Sequence, residues 1–247
     1  MSDIVKQSNT NNPGNLDKLK RLQGLKPKIS SPKGLELPRL FYQKIIFILD
    51  ASGSMMGKGA SNISKGKEVS IAVNKVLDRL KHSKNKNCFD ITVYTYSAKK
   101  DYGTIIKNKI VTDIIETNFD PTTYQKPLGT YLSDALNEAI NEANEYLTIN
   151  KNKNSQALII VLSDGAITDY NECYSLTENN KNLDIATIYF EGQNTSLLSN
   201  MFGVNIGERN KDILKNIATK EMFYVSVNAE DIRNQMIKSI STVSKID

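Results

Sequence analysis

Ile45-Ile46-Phe47-Ile48-Leu49-Asp50-Ala51-Ser52-Gly53-Ser54 is the stretch from which the rest of the chain can be read. Its first five residues are all apolar and leave no polar face. Such a run fits a parallel strand covered on both sides better than a half-wet one. It stops at a carboxylate, followed by small hydroxyl residues around a glycine, which is turn chemistry.

Working outward, Val69, Val73, Val76, Leu77 and Leu80 recur at helical spacing and predict a helix over about Ser64 to Lys81. Phe89, Ile91 and Val93 alternate as a second strand. Tyr102 to Lys109 reads as a third, joined by so short a connection that it lies antiparallel at an edge. Leu132, Leu136, Ala139, Ile140, Ala143 and Leu147 mark a helix beginning near Thr130. Leu158-Ile159-Ile160-Val161-Leu162 repeats the buried parallel pattern. A helix over Tyr170 to Asn179, a strand over Leu183 to Phe190, a helix near Arg209 to Ala218, a strand over Met222 to Val227 and a closing helix through Ile232, Met236, Ile240 and Val243 complete the series. Strands alternating with helices give an α/β fold: a doubly wound, mostly parallel sheet with one antiparallel edge strand and helices on both faces. Leu197, Leu198, Met201 and Phe202 fall in a loop, either as the core of a small helix or as an apolar patch.

Residues 1–39 differ from the rest. They carry Pro13, Gly14, Gly24, Pro27, Pro32, Gly34 and Pro38 with few apolar residues, so on their own they form a flexible tail, with the folded domain over 40–247. The tail holds eight Lys or Arg against three acids, a net of +5, which equals the formal charge of the whole chain. The domain itself is balanced, so the pI of about 8.9 does not mark it as a nucleic-acid binder. No run approaches the ~20 apolar residues that span a membrane, and Met1 to Lys28 has no apolar stretch of a secretory signal. Cys88 and Cys173 stand in no metal or redox spacing and read as two free thiols, in keeping with a cytoplasmic location.

Ligands of open α/β sheets bind beyond the carboxyl ends of the central strands. Asp50-Ala51-Ser52-Gly53-Ser54 follows the first strand and Ser163-Asp164-Gly165 follows the second buried one; Pro127-Leu128-Gly129 leads to Thr130. Together these bring two carboxylates and three hydroxyls to one edge. Hard oxygen donors of that kind suit Mg²⁺ or Mn²⁺, and neutral hydroxyls leave the ion able to take one more ligand. Each piece also has a plainer reading: Asp50 as a strand-end cap, Ser52-Gly53-Ser54 and Asp164-Gly165 as turns, Thr130 as a helix N-cap. Gly53 to Lys58 is not a phosphate loop, because three residues separate the glycines where four are needed, and Gly59 stands where Ser or Thr belongs. With no Gly-x-Ser-x-Gly elbow, and the only histidine, His82, at a helix end among lysines, the sequence does not point to a serine–histidine enzyme.

Ile46 to Met55 resembles the metal-ion-dependent adhesion site of von Willebrand factor type A domains, whose pattern is Asp-x-Ser-x-Ser, then a Thr, then an Asp. The resemblance covers roughly residues 41–246. It implies that Asp50, Ser52, Ser54, Thr130 and Asp164 hold a Mg²⁺ (or Mn²⁺) whose shell is completed by a Glu or Asp from a protein partner. The connection over Met56 to Ile63 is longer than in compact members, and Ser163 stands where Thr is more usual. Stand-alone bacterial proteins of this kind resemble the components of tellurium-resistance-type stress and defence systems. The implied function is a metal-dependent protein–protein interaction module in such a complex, with loops 56–63, 112–129 and 193–207 setting specificity. The alternative is an adaptor subunit anchored by its basic tail, with the metal site secondary. Metal-dependent hydrolysis or phosphotransfer needs a nucleophile or base beside the ion, and the sequence offers only the ligand carboxylates, so no enzyme is expected.

Overall fold

A computed structural model describes residues 39–191 and 206–244 of the chain. Its strands are β1 (Tyr42–Asp50), β2 (Phe89–Tyr96), β3 (Tyr102–Ile110), β4 (Ser155–Ser163), β5 (Asp184–Phe190) and β6 (Phe223–Ser226). Between and after them run α1 (Lys65–Lys81), α2 (Ser133–Ile149), α3 (Tyr170–Glu178), α4 (Ile206–Ile217) and α5 (Ala229–Val243). Among the described residues the strands form one sheet in the order β3-β2-β1-β4-β5-β6. Every neighbouring pair is parallel except β2 with β3.

The continuous apolar runs of β1 and β4 are explained by burial on both faces. Ile45, Phe47 and Leu49 join Leu158, Ile160 and Leu162 under α1 and α5. Ile46 and Ile48 join Ile159 and Val161 under α2, α3 and α4. The helical spacings expected from sequence put Val69, Val73, Val76 and Leu77 into the first layer, and Leu136, Ala139 and Ile140 into the second. Each Val, Leu, Ile or Phe among them taken out of water contributes roughly 1.5–3 kcal/mol.

Ser64 caps α1, its hydroxyl accepting from the Lys67 N–H at 3.3 Å. β3 is the antiparallel edge strand that the short connection implied. Two starts differ from the sequence reading. α4 begins at Ile206 rather than near Arg209. α2 begins at Ser133 rather than near Thr130, and its cap is not Thr130. The Asp169 carboxylate, from beyond β4, accepts from the N–H groups of Leu132 and Ser133 at 2.9 and 2.8 Å.

Strand β1 also extends further back than its apolar run, taking in Gln43 and Lys44, both fully buried. Lys44 Nζ reaches Glu142 on α2 at 2.7 Å and the Asn108 side chain on β3 at 2.8 Å. Burial pulls this ammonium below the ordinary lysine range, against the attraction of Glu142. Glu142 is further held by the hydroxyls of Thr92 at 2.8 Å and Tyr94 at 2.6 Å. Arg39, counted above with the basic tail, forks onto Asp90 with bonds of 2.6 and 3.2 Å. The other tail residues, and Leu197, Leu198, Met201 and Phe202, lie outside the described residues.

Candidate metal centre

The chain leaves β1 to build β2 and β3 on one side, then returns to build β4 on the other. The reversal opens a crevice between the carboxyl ends of β1 and β4, the place where open sheets bind ligands. In the register Leu49 pairs with Leu162, so Asp50 and Ser163 stand side by side one residue on.

Four of the five expected residues meet there in a hydrogen-bonded chain. Asp50 is fully buried; its Oδ1 accepts from the Ser52 N–H at 2.7 Å and its Oδ2 from the Ser163 hydroxyl at 2.6 Å. The hydroxyls of Ser52 and Ser54 lie 2.9 Å apart. Ser54 Oγ donates to Asp164 Oδ1 at 2.6 Å. The fifth, Thr130, is attached through its backbone: its carbonyl accepts from the Thr168 N–H at 2.9 Å, tying its loop to the segment that follows Asp164. Pro127 of the same loop lies over Gly53, within 3.9 Å of where a Cβ there would sit.

Burial, and after it the negative charge of Asp164, pushes the Asp50 carboxyl up to about 6. Burial first, then the charge of Asp50, also pushes the Tyr96 phenol beneath it well up. Two carboxylates held this close, with hydroxyls between them, form a site whose own charge is unfavourable. A small divalent cation relieves that charge, and hard oxygen donors are what Mg²⁺ or Mn²⁺ takes. Among the described residues no group of three or more His, Cys, Asp or Glu is placed to hold a metal ion, and here two carboxylates are supplemented by serine hydroxyls. The residues present therefore fit the ion on both charge and donor type.

Three contributors were not legible as such. Ser163 read as a mild variant of the usual Thr, yet it bonds Asp50 directly. Lys65, the first residue of α1, places Nζ 2.6 Å from Asp164 Oδ2. Nothing local marks it, because a loop of ten residues separates it from Ser54. Glu68, fully buried on α1, accepts from the Ser61 N–H at 2.7 Å and so anchors the long loop after the motif. A Cβ at Gly59 would come within 2.5 Å of Glu68 Oε1, so a larger residue there would have to displace that carboxylate. The loop is closed by the bridge between Lys58 and Ser64, with Asn62 in the left-handed region at φ 61° that Asn tolerates.

The remaining sequence candidates sit elsewhere. Cys88 and Cys173 are buried and unpaired. His82 follows the last turn of α1, exposed and bonded to the Asp78 carbonyl at 2.8 Å. That end of the helix is about 25 Å from Lys65, at 1.5 Å per residue.

The fold matches the pilus adhesin SpaC from Lactobacillus rhamnosus GG over 83% of this chain and 30% of that one, with a TM-score of 0.62 and 10% identity. It matches the PilB minor pilin from Streptococcus sanguinis over 84% of this chain and 62% of that one, with a TM-score of 0.57 and 12% identity. The manganese-loaded TRAP protein of Plasmodium vivax matches over 82% of this chain and 75% of that one, with a TM-score of 0.51 and 14% identity. At these identities the likeness is one of fold, and the chain spans less than two thirds of the two pilus proteins. No curated protein matches. The family model of the von Willebrand factor type A domain matches residues 44–241, all six strands and the site between β1 and β4 included, and this chain belongs to that family.

Proposed function

We propose that this protein is a metal-dependent interaction module, not an enzyme. A Mg²⁺ or Mn²⁺ ion is held by Asp50, Ser52 and Ser54 with Thr130 and Asp164, and a protein partner supplies a Glu or Asp to complete its shell. The observation that carries the reading is the chain of short bonds from Ser163 and Asp50 through Ser52 and Ser54 to Asp164, set at a crevice and charged against itself. When bound, the ion supplies a Lewis-acidic position open to an outside oxygen. The residues do the rest: Asp50 and Asp164 provide charge, the serines provide neutral donors, and Ser163 orients Asp50.

The rim suits a protein partner. Met56 is 62% exposed and Leu128 70%, both next to the site in sequence or through Pro127, so apolar surface flanks a polar centre. That a fold relative is manganese-loaded adds support for the ion. A place in a bacterial stress or defence complex belongs to the same proposal and rests on the sequence resemblance, and its cytoplasmic setting on the two free thiols.

The test is a calorimetric titration of the metal-stripped protein with Mg²⁺ and Mn²⁺, beside a folded Asp50→Ala variant. One ion bound by the wild type and none by the variant is the expected result. Equal binding by both, or binding by neither even with acetate present as a carboxylate, would remove the basis of the reading.

A further inference from the structure

Lys65 is the feature of the site that the donor set does not explain. Its side chain is 12% exposed and its Nζ lies 2.6 Å from Asp164 Oδ2, while Asp164 Oδ1 faces Ser54. The Phe190 ring, with its centroid 5.8 Å from Nζ, flanks the ammonium on the β5 side. One carboxylate thus presents one oxygen to the candidate metal position and the other to a cation the chain carries itself.

We infer that Lys65 is a tethered counter-ion that weakens divalent binding by the isolated protein and ties full occupancy of the site to arrival of a partner's carboxylate. The inference rests on the metal-site reading above and deepens it. Without metal, two carboxylates and one ammonium leave one negative charge, so the site is held together without an ion. A divalent ion turns this into one positive charge, with the ion and the ammonium repelling each other across a single carboxylate in a partly dehydrated crevice. One carboxylate from outside then neutralises the whole. A phosphate dianion would leave an excess of negative charge, so the arrangement favours a Glu or Asp side chain.

Two effects of Lys65 oppose each other, and their sizes differ. Holding Asp164 in one orientation helps an ion by saving side-chain ordering, a small effect for a short carboxylate. Placing a like charge beside the ion, and occupying one of its ligands, works against it at short range where screening by salt is weak. Repulsion dominates, so removing the charge tightens binding.

The test is Mn²⁺ titration by calorimetry of the full chain as wild type, Lys65→Met, Lys65→Arg and Asp50→Ala, with and without acetate as the carboxylate probe. Lys65→Met is expected to bind Mn²⁺ at least about tenfold more tightly than wild type, a change of ~1.4 kcal/mol, and Lys65→Arg to stay near wild type. Acetate is expected to raise Mn²⁺ affinity more in the wild type than in Lys65→Met. Should Lys65→Met be unstable without metal, the Mn²⁺ dependence of its melting temperature gives the same comparison. Lys65→Met binding no more tightly than a wild type that does bind would overturn the inference and leave the metal site standing. No binding by either folded protein, with or without acetate, would overturn both.

Discussion

Replacing Asp50 by Asn should make the metal-free protein more stable, although it removes a residue at the heart of the site. Asp50 is fully buried, and its carboxyl is raised from 3.8 to about 6, by burial first and by Asp164 second. Between those values the unfolded chain has released the proton and the folded one has kept it. Folding therefore takes up a proton, and stability falls as pH rises from about 4 to about 6. Above that window the loss is constant at about 3 kcal/mol, at 1.36 kcal/mol per pH unit. Asn resembles the protonated carboxyl: its oxygen accepts from the Ser52 N–H, and Ser163 can turn to accept from its amide. Asp50→Asn should then exceed wild type by less than ~1 kcal/mol at pH 4 and by up to ~3 kcal/mol at pH 8, or roughly 6–12 °C in melting temperature for a domain of this size. Urea denaturation at several pH values in chelator measures it. Mn²⁺ at a hundredfold excess over its Kd should add about 2.7 kcal/mol to wild type and little to the variant, closing most of the gap, and a thousandfold excess, worth about 4.1 kcal/mol, should reverse the order. A variant no more stable than wild type at pH 8, or a difference that does not change with pH, would refute the reasoning.

The same carboxyl must lose its proton to meet a metal, so Mn²⁺ affinity should fall about tenfold per pH unit below pH 6, with about one proton released per ion; calorimetry in buffers of different ionisation enthalpy checks this, and an affinity constant from pH 5 to 6 would contradict it. Asp169→Ala removes the acceptor for Leu132 and Ser133 N–H and should cost about 1–2 kcal/mol by denaturation, whereas a change within about 0.3 kcal/mol would mean another group caps α2. Lys44→Met leaves the Glu142 carboxylate buried without its ammonium and should cost about 3–5 kcal/mol, of which a second change, Glu142→Leu, should restore about half; additive losses in the double variant would deny the pairing.

What the residues alone determined is the framework and the short motifs that make up the candidate site. The unbroken apolar runs at Ile45–Leu49 and Leu158–Leu162 fit strands covered on both faces, and helical spacing at Val69, Val73 and Val76 supplied a cover. Such periodicities are local, so they survive in a one-dimensional reading. Asp50, Ser52, Ser54 and Asp164 were legible for the same reason, as short motifs at the ends of those runs. Tertiary structure decided everything that depends on two distant segments meeting. Lys44, one residue before the apolar run of β1, is buried against Glu142 because β1 lies between β2 and β4 with α2 packed across it. The plainer reading of Thr130, a helix cap, fails because Asp169 from another loop performs that task. Lys65 reads as the first residue of a helix, and only the placement of α1 beside the end of β4 brings its ammonium to Asp164. Charges act through space at a few ångströms, and sequence spacing holds no record of that distance.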